Sequence, residues 1–164
     1  MNHSKNPFIL TTPPKGFTLV EVLVAVLVLS IGLLGLASLQ ATSLRNNSDA
    51  SIQTRASYIA SDMADRIRAN GSQAGAYPTT APATVTGGCV TGTCTPTQMV
   101  QNDLAEWNAL VQTLPAGQGA ITTLAGGLFT ITVRWDEARN GATGTGCNPD
   151  DPTDLRCLSL TTQP

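Results

Sequence analysis

The chain has 164 residues, enough for one modest domain, with only 12 % charged and 4 % aromatic residues and a net charge of −2. That balance excludes a strongly basic nucleic-acid binder: neutralising phosphates takes clustered cations, and beyond residue 70 the only cations are Arg134, Arg139 and Arg156. The single histidine is His3, so a chain trimmed of its first residues has no imidazole, which removes Ser-His-Asp and Cys-His catalysis and any His-ligated metal.

From Phe17 to Leu39 the sequence reads FTLVEVLVAVLVLSIGLLGLASL, 23 residues whose only polar members are Thr18, Glu21, Ser30 and Ser38. As a helix this run reaches roughly 35 Å, enough to cross a hydrocarbon core of about 30 Å. Lys5 and Lys15 precede it and no cation follows before Arg45, so the positive-inside rule puts the N-terminus in the cytoplasm and exports the rest. A cleaved secretory signal fits less well, because the run exceeds the usual apolar length, although Gly35-Leu36-Ala37 and Ala41-Thr42-Ser43 pass as weak cleavage sites. Glu21 separates the two readings. A carboxylate inside an apolar span costs about 2.5 to 3.5 kcal/mol even on lenient insertion scales, so it calls for a partner. A cut between Gly16 and Phe17 would create an α-amino cation in the same layer as Glu21, available to its own chain or to a neighbouring helix.

These residues carry a family resemblance. Lys15-Gly16-Phe17-Thr18-Leu19-Val20-Glu21 followed by an uninterrupted apolar run resembles the class III signal of type IV pilins and pseudopilins. The resemblance implies that a prepilin peptidase cuts after Gly16, that the amine of Phe17 is then methylated, and that the apolar helix stays on the protein with Glu21 neutralising a neighbour's Phe17 amine during assembly. The leader, Met1 to Gly16, is longer than in many relatives.

Gln40 to Asn70 contains neither Pro nor Gly, and Ile52, Ala56, Ile59, Met63 and Ile67 fall on one helical stripe. Asp62 and Arg66 form an i,i+4 pair in the favourable order, and Asn70-Gly71 reads as a C-cap. The pattern predicts one helix from about Phe17 to about Ala69. Gly32 and Gly35 weaken its middle, either for close helix packing or as a segment that unwinds.

Residues 72–95 read as a loop: eight of the nineteen residues from Thr79 to Thr97 are Thr. Thr95-Pro96-Thr97-Gln98 is a capping box, and Val100, Leu104, Trp107, Val111 and Leu114 follow on one face before Pro115 and Gly117 stop the helix. Leu128 to Trp135 alternates, with Phe129, Ile131, Val133 and Trp135 on one side; Ala120 to Leu124 pairs with it across Ala125-Gly126-Gly127, and Arg156 to Thr161 adds a third strand. Four cysteines downstream of an export signal point to disulfides. Of the three connectivities, Cys89 with Cys94 and Cys147 with Cys157 is preferred because each loop is short and rich in turn residues. A four-thiolate zinc site fits less well, since neither spacing is CxxC. Asp150, Asp151 and Asp154 read as a solvated acidic turn, lacking the spacing of a calcium loop.

The stretches SIGLLGLASLQATSLRNNSDA, YIASDMADRIRANG, DLAEWNALVQTLPAGQGAI and FTITVRWDE are similar to minor pilins of the pilus modification (PilV) type. The expectation is therefore an α+β, type IV pilin-like fold, in which a long N-terminal helix with a membrane-spanning first half packs on a small antiparallel head with one further helix. Its parts are a leader (1–16), a transmembrane and filament-core helix (17–39), an exported amphipathic continuation (40–70) and a disulfide-bonded head (71–164). The resemblance implies a non-enzymatic subunit of pilus assembly in a priming or tip complex, without cofactor or metal. Its partners would be prepilin peptidase, other minor and major pilins and the inner-membrane assembly machinery. It would sit in the bacterial inner membrane and then in the surface pilus. A minor pseudopilin of type II secretion and a tip-located adhesin are the other readings.

Overall fold

The structure, a computed structural model, describes residues 16–79, 89 and 92–164. The leader up to residue 15 and most of the Thr-rich stretch (80–88, 90 and 91) lie outside the described residues. The elements in order are helix α1 (Leu19–Ala69), a 3₁₀ helix (Gly71–Ala76), helix α2 (Pro96–Val111) and strands β1 (Gln118–Leu124), β2 (Leu128–Trp135) and β3 (Arg156–Thr162). Two units are distinguished, one ending at Leu44 and one beginning at Arg45.

In the first unit every residue of α1 is exposed, and the helix carries an 18-residue window of mean hydropathy 2.7, long and apolar enough to cross a membrane. Two of its hydroxyls bond within the helix: Ser30 Oγ donates to the carbonyl of Val26 at 2.7 Å and Thr42 Oγ1 to that of Ser38 at 3.1 Å. Such i−4 bonds let small polar side chains sit in an apolar span without external partners.

The second unit has its core between the later turns of α1, helix α2 and one face of the sheet. The stripe Ile52, Ala56, Ile59, Met63 and Ile67 is buried together with Ala60 and Ala64. Helix α2 starts at the capping box: Thr95 N–H donates to Gln98 Oε1 at 2.9 Å and Gln98 N–H returns to Thr95 Oγ1 at 3.3 Å, with Pro96 at the first helical position. Its apolar face, Val100, Leu104, Trp107 and Val111, is buried. Trp107 Nε1 donates to the carbonyl of Ile59 at 2.9 Å, so the indole that fills the α1–α2 contact also satisfies its polar atom there.

The sheet is antiparallel in the order β1-β2-β3. Phe129, Ile131, Val133 and Trp135 alternate inward, and their cross-strand partners Ile121, Leu160 and Leu158 share that face. Leu124 pairs with Leu128, so Ala125, Gly126 and Gly127 close the hairpin; both glycines take positive φ (83° and 75°), which a side chain would resist. Gly119 is required for a different reason. Opposite Val133 on the inner face, it lies against the ring of Trp107, where a Cβ would overlap the indole carbons.

Three local expectations are corrected. Helix α1 ends at Ala69, but Asn70-Gly71 is not a left-handed cap: Asn70 has φ −115° and ψ 41°, and the chain tightens into the 3₁₀ helix. The stretch from residue 72 is accordingly not all loop, and Thr79 forms a bridge with Ile121, their backbone N–H groups crossing at 2.9 and 2.7 Å. The reason is Tyr77, a fully buried side chain that pulls this segment against the core. Helix α2 stops at Val111, before Pro115, in a turn that buries Leu114 and places Ala116 at φ 47°.

Candidate functional site

At the start of α1, Gly16 and Phe17 are exposed, Phe17 by 82 %. No atom lies within 4 Å of a Cβ built on Gly16, so nothing among the described residues requires glycine there. Thr18 begins the helix: its carbonyl accepts from the N–H groups of Glu21 (3.1 Å) and Val22 (3.3 Å), and its Oγ1 accepts from Glu21 N–H at 3.3 Å. Thr-x-x-Glu at this point is an N-cap pattern, a second role for Glu21 beside the amine partner that the sequence suggests. The cap occupies the backbone N–H of Glu21 and leaves its carboxylate without an ion pair among the described residues. The first turn of a helix favours a negative charge, which lowers the cost of Glu21 in its own chain without neutralising it. Gly32 and Gly35 likewise have open space around them, so no contact within the chain demands glycine at either place.

The second unit contains a polar cluster of which only one pair was legible in the sequence. Arg66 Nε holds Asp62 at 2.8 Å, and Arg66 Nη1 reaches Asp103 at 3.0 Å and Glu106 at 2.7 Å on α2. Burial works against the Arg66 charge, but the bonds from Glu106, Asp62 and Asp103 outweigh it and raise its pKa. Glu106 is held below the ordinary carboxylate range by Arg66 and then by Asn102. Tyr77 donates its hydroxyl to the other oxygen of Asp103, and burial together with that bond pushes its pKa up to about 12. Asn70 completes the cluster by donating from Nδ2 to the carbonyl of Pro96 at 2.8 Å. These contacts lock α1, the 3₁₀ helix and α2 together. The missed signal was Asp103, a carboxylate three residues from Val100 on the apolar face of α2.

The cysteines are joined as Cys89 with Cys94 and Cys147 with Cys157, each pair with Cα atoms 5.4 Å apart. The second bond closes a loop organised by Asp154, whose carboxylate accepts from Gly146 N–H at 3.2 Å and Asn148 N–H at 3.1 Å. That carboxylate fills the space where a Cβ on Gly144 or Gly146 would stand. Asp151 accepts from the backbone N–H and hydroxyl of Thr153, which lower its pKa. Asp154 and Asp151 are thus engaged in shaping the loop, and among the described residues no group of three acids, cysteines or histidines is placed to hold a metal ion.

Residues 14–37 match the prokaryotic N-terminal methylation motif, and residues 38–105 match the family described as type IV pilin Tt1218. No curated protein and no solved structure matches the chain.

Proposed function

We propose that this chain, which belongs to the type IV pilins and is a subunit of a pilus or pseudopilus, is a minor pilin of the pilus modification (PilV) type acting in a priming or tip complex. In this reading prepilin peptidase cuts between Gly16 and Phe17, the Phe17 amine is methylated, and α1 is retained as membrane anchor and then as filament core. The carrying observation is Glu21: its backbone N–H is capped by Thr18 Oγ1, while its carboxylate has no ion pair among the described residues at the head of an apolar span. A neighbouring subunit's Phe17 amine supplies the missing cation, which gives an arriving subunit both a depth and a partner. Gly16 fits a peptidase cleft, since the chain itself leaves the place beside it open.

Before the cut, Lys5 and Lys15 keep the N-terminal side in the cytoplasm, and the unit from Arg45 onward is exported to where its disulfides persist. The chain works as a structural subunit with no catalytic role or cofactor.

The test compares Glu21→Ala and Glu21→Gln with the unaltered chain in cells lacking their own copy, measuring the subunit in sheared surface filaments and in membranes. Membrane levels should persist while filament incorporation falls. Undiminished incorporation of Glu21→Ala would remove Glu21 from the assembly step, and unchanged surface filaments in cells without the chain would remove its role in priming.

A further inference from the structure

In an Asn-Gly dipeptide the backbone readily attacks the side chain before it, because glycine sets no Cβ in the way of its own nitrogen. The chain has two, Asn70-Gly71 and Asn140-Gly141. At the second, the Gly141 nitrogen would bond to Cγ of Asn140, its proton would pass to a base, and the Cγ–Nδ2 bond would break with loss of ammonia. Water then opens the cyclic imide to aspartate or isoaspartate. Exposure favours the reaction: Asn140 and Gly141 are both exposed, and a Cβ on Gly141 would meet nothing within 4 Å. The hydrogen bonds oppose it. Gly141 N–H donates to Oδ2 of Asp136 at 2.8 Å, Asn140 Oδ1 accepts from Ala142 N–H at 3.2 Å, and Asn140 Nδ2 donates to the carbonyl of Pro152 at 3.0 Å. Nucleophile, carbonyl and leaving amine are each held, so ring closure first requires these contacts to open. Asp136 and Ala142 are buried in the turn that contains Asn140. Pro152 reaches it from a different segment.

We infer that Asn140 is a deamidation site gated by the Cys147–Cys157 bond: it persists while that bond is closed and converts to aspartate and isoaspartate in a chain in which the bond has not formed. Pro152 stands midway between the two cysteines, so the carbonyl that holds the Asn140 amide belongs to the loop they close. The two sides of that loop meet through Gly144, whose N–H donates to the carbonyl of Thr153 and whose carbonyl accepts from Leu155 N–H, both at 2.9 Å. Cys147 itself sits at φ 60°, a left-handed conformation that a side chain resists, and the covalent bond keeps it there. Without the bond the loop relaxes and the Pro152 carbonyl withdraws, which frees the Asn140 amide. Asp136 stays on the Gly141 N–H and is the base that takes its proton. The product carboxylate has no hydrogen to offer Pro152, so the loop does not return to its place and the change is permanent. The inference stands on the unit from Arg45 onward and does not depend on the place of the chain in a filament.

The test holds the full-length chain in detergent micelles at mildly alkaline pH and follows aspartate and isoaspartate at each Asn-Gly by peptide mass spectrometry. Asn70 is the internal control: its Nδ2 donates to the carbonyl of Pro96, outside the cysteine loop. In the folded, unreduced chain Asn140 should convert about tenfold or more slowly than in the same chain in urea. Replacing Cys147 and Cys157 together by Ser should bring Asn140 back toward its rate in urea and leave Asn70 slow, whereas replacing Cys89 and Cys94 should change neither. Equal Asn140 rates in the folded and the urea-treated chain, or a slow Asn140 in the Cys147 and Cys157 variant, would overturn the assignment. Should Asn70 accelerate in that variant as well, the whole unit has loosened, and the unaltered chain titrated with dithiothreitol takes its place, within the range that leaves Trp107 fluorescence unchanged. Asn140 conversion should then rise in step with alkylation of the Cys147 thiol, and conversion that does not follow the thiol would contradict the gate.

Discussion

The hydroxyl of Tyr77 donates to Oδ2 of Asp103 at 2.5 Å while Arg66 holds Oδ1 at 3.0 Å, so a single buried carboxylate ties together the segment after α1, α1 itself and α2. Removing the hydroxyl with Tyr77→Phe takes a donor from a buried acid and should cost about 1 to 3 kcal/mol, read as a lower urea midpoint. Its effect on pH dependence is more diagnostic. The folded state raises the Tyr77 pKa from its ordinary 10.0 to about 12, because burial and Asp103 oppose the phenolate. The resulting stabilisation is complete below pH 10 and is lost as pH climbs from about 10 to about 12. The alkaline fall in stability should shrink in Tyr77→Phe. A fall of the same size in the variant would show that Tyr77 is not its source.

Glu106 gives the opposite sign. Its pKa is lowered by Arg66 and Asn102, so its contribution is present above the ordinary Glu value and disappears as pH falls through the depressed one. Glu106→Gln should flatten the acid limb of the stability profile, with a small change at neutral pH because the side chain is about half exposed. An unaltered acid limb would contradict the assignment.

Gly119 tests how tightly the sheet packs on α2. A methyl group there meets the six-membered ring of Trp107, and that ring is fixed by its own bond to Ile59. Gly119→Ala should therefore destabilise the chain by about 1 to 3 kcal/mol and shift Trp107 fluorescence, whereas Gly71→Ala, with open space around it, should not. Equal effects of the two substitutions would rule out the ring contact as the cause.

Much of this fold was legible because its elements repeat a period. The stripe from Ile52 to Ile67, the capping box at Thr95 and the alternation from Phe129 to Trp135 each specify an element and its buried face. What escaped was non-periodic. Tyr77 is one aromatic residue in a stretch of turn formers, and its burial is decided by Asp103, 26 positions later in the sequence. Glu106 and Asp103 look like ordinary solvated acids until Arg66 is placed between them. Gly119 carries no periodic signal, and the need for glycine there shows only once Trp107 lies on it. At the N-terminus the carboxylate of Glu21 is anomalous in the sequence itself, whereas the cap by Thr18 is masked by the apolar run that surrounds it.

The cysteine pairs give a separate expectation. The denatured, unreduced chain should show no titratable thiol, and reduction should release four. Joint replacement of Cys147 and Cys157 by Ser should cost about 2 to 3 kcal/mol for a loop of this size and loosen the turn that Asp154 organises. Free thiols in the unreduced chain, or no change in stability on losing the bond, would contradict the pairing.

The most direct test of the central claim is the intact mass of the mature chain recovered from surface filaments, with the sequence of its first residues. The account predicts a chain that begins at Phe17, bears one methyl group on its α-amine and retains all of α1. A chain beginning near Ser38 or Leu44, or one still carrying residues 1–16, would contradict it.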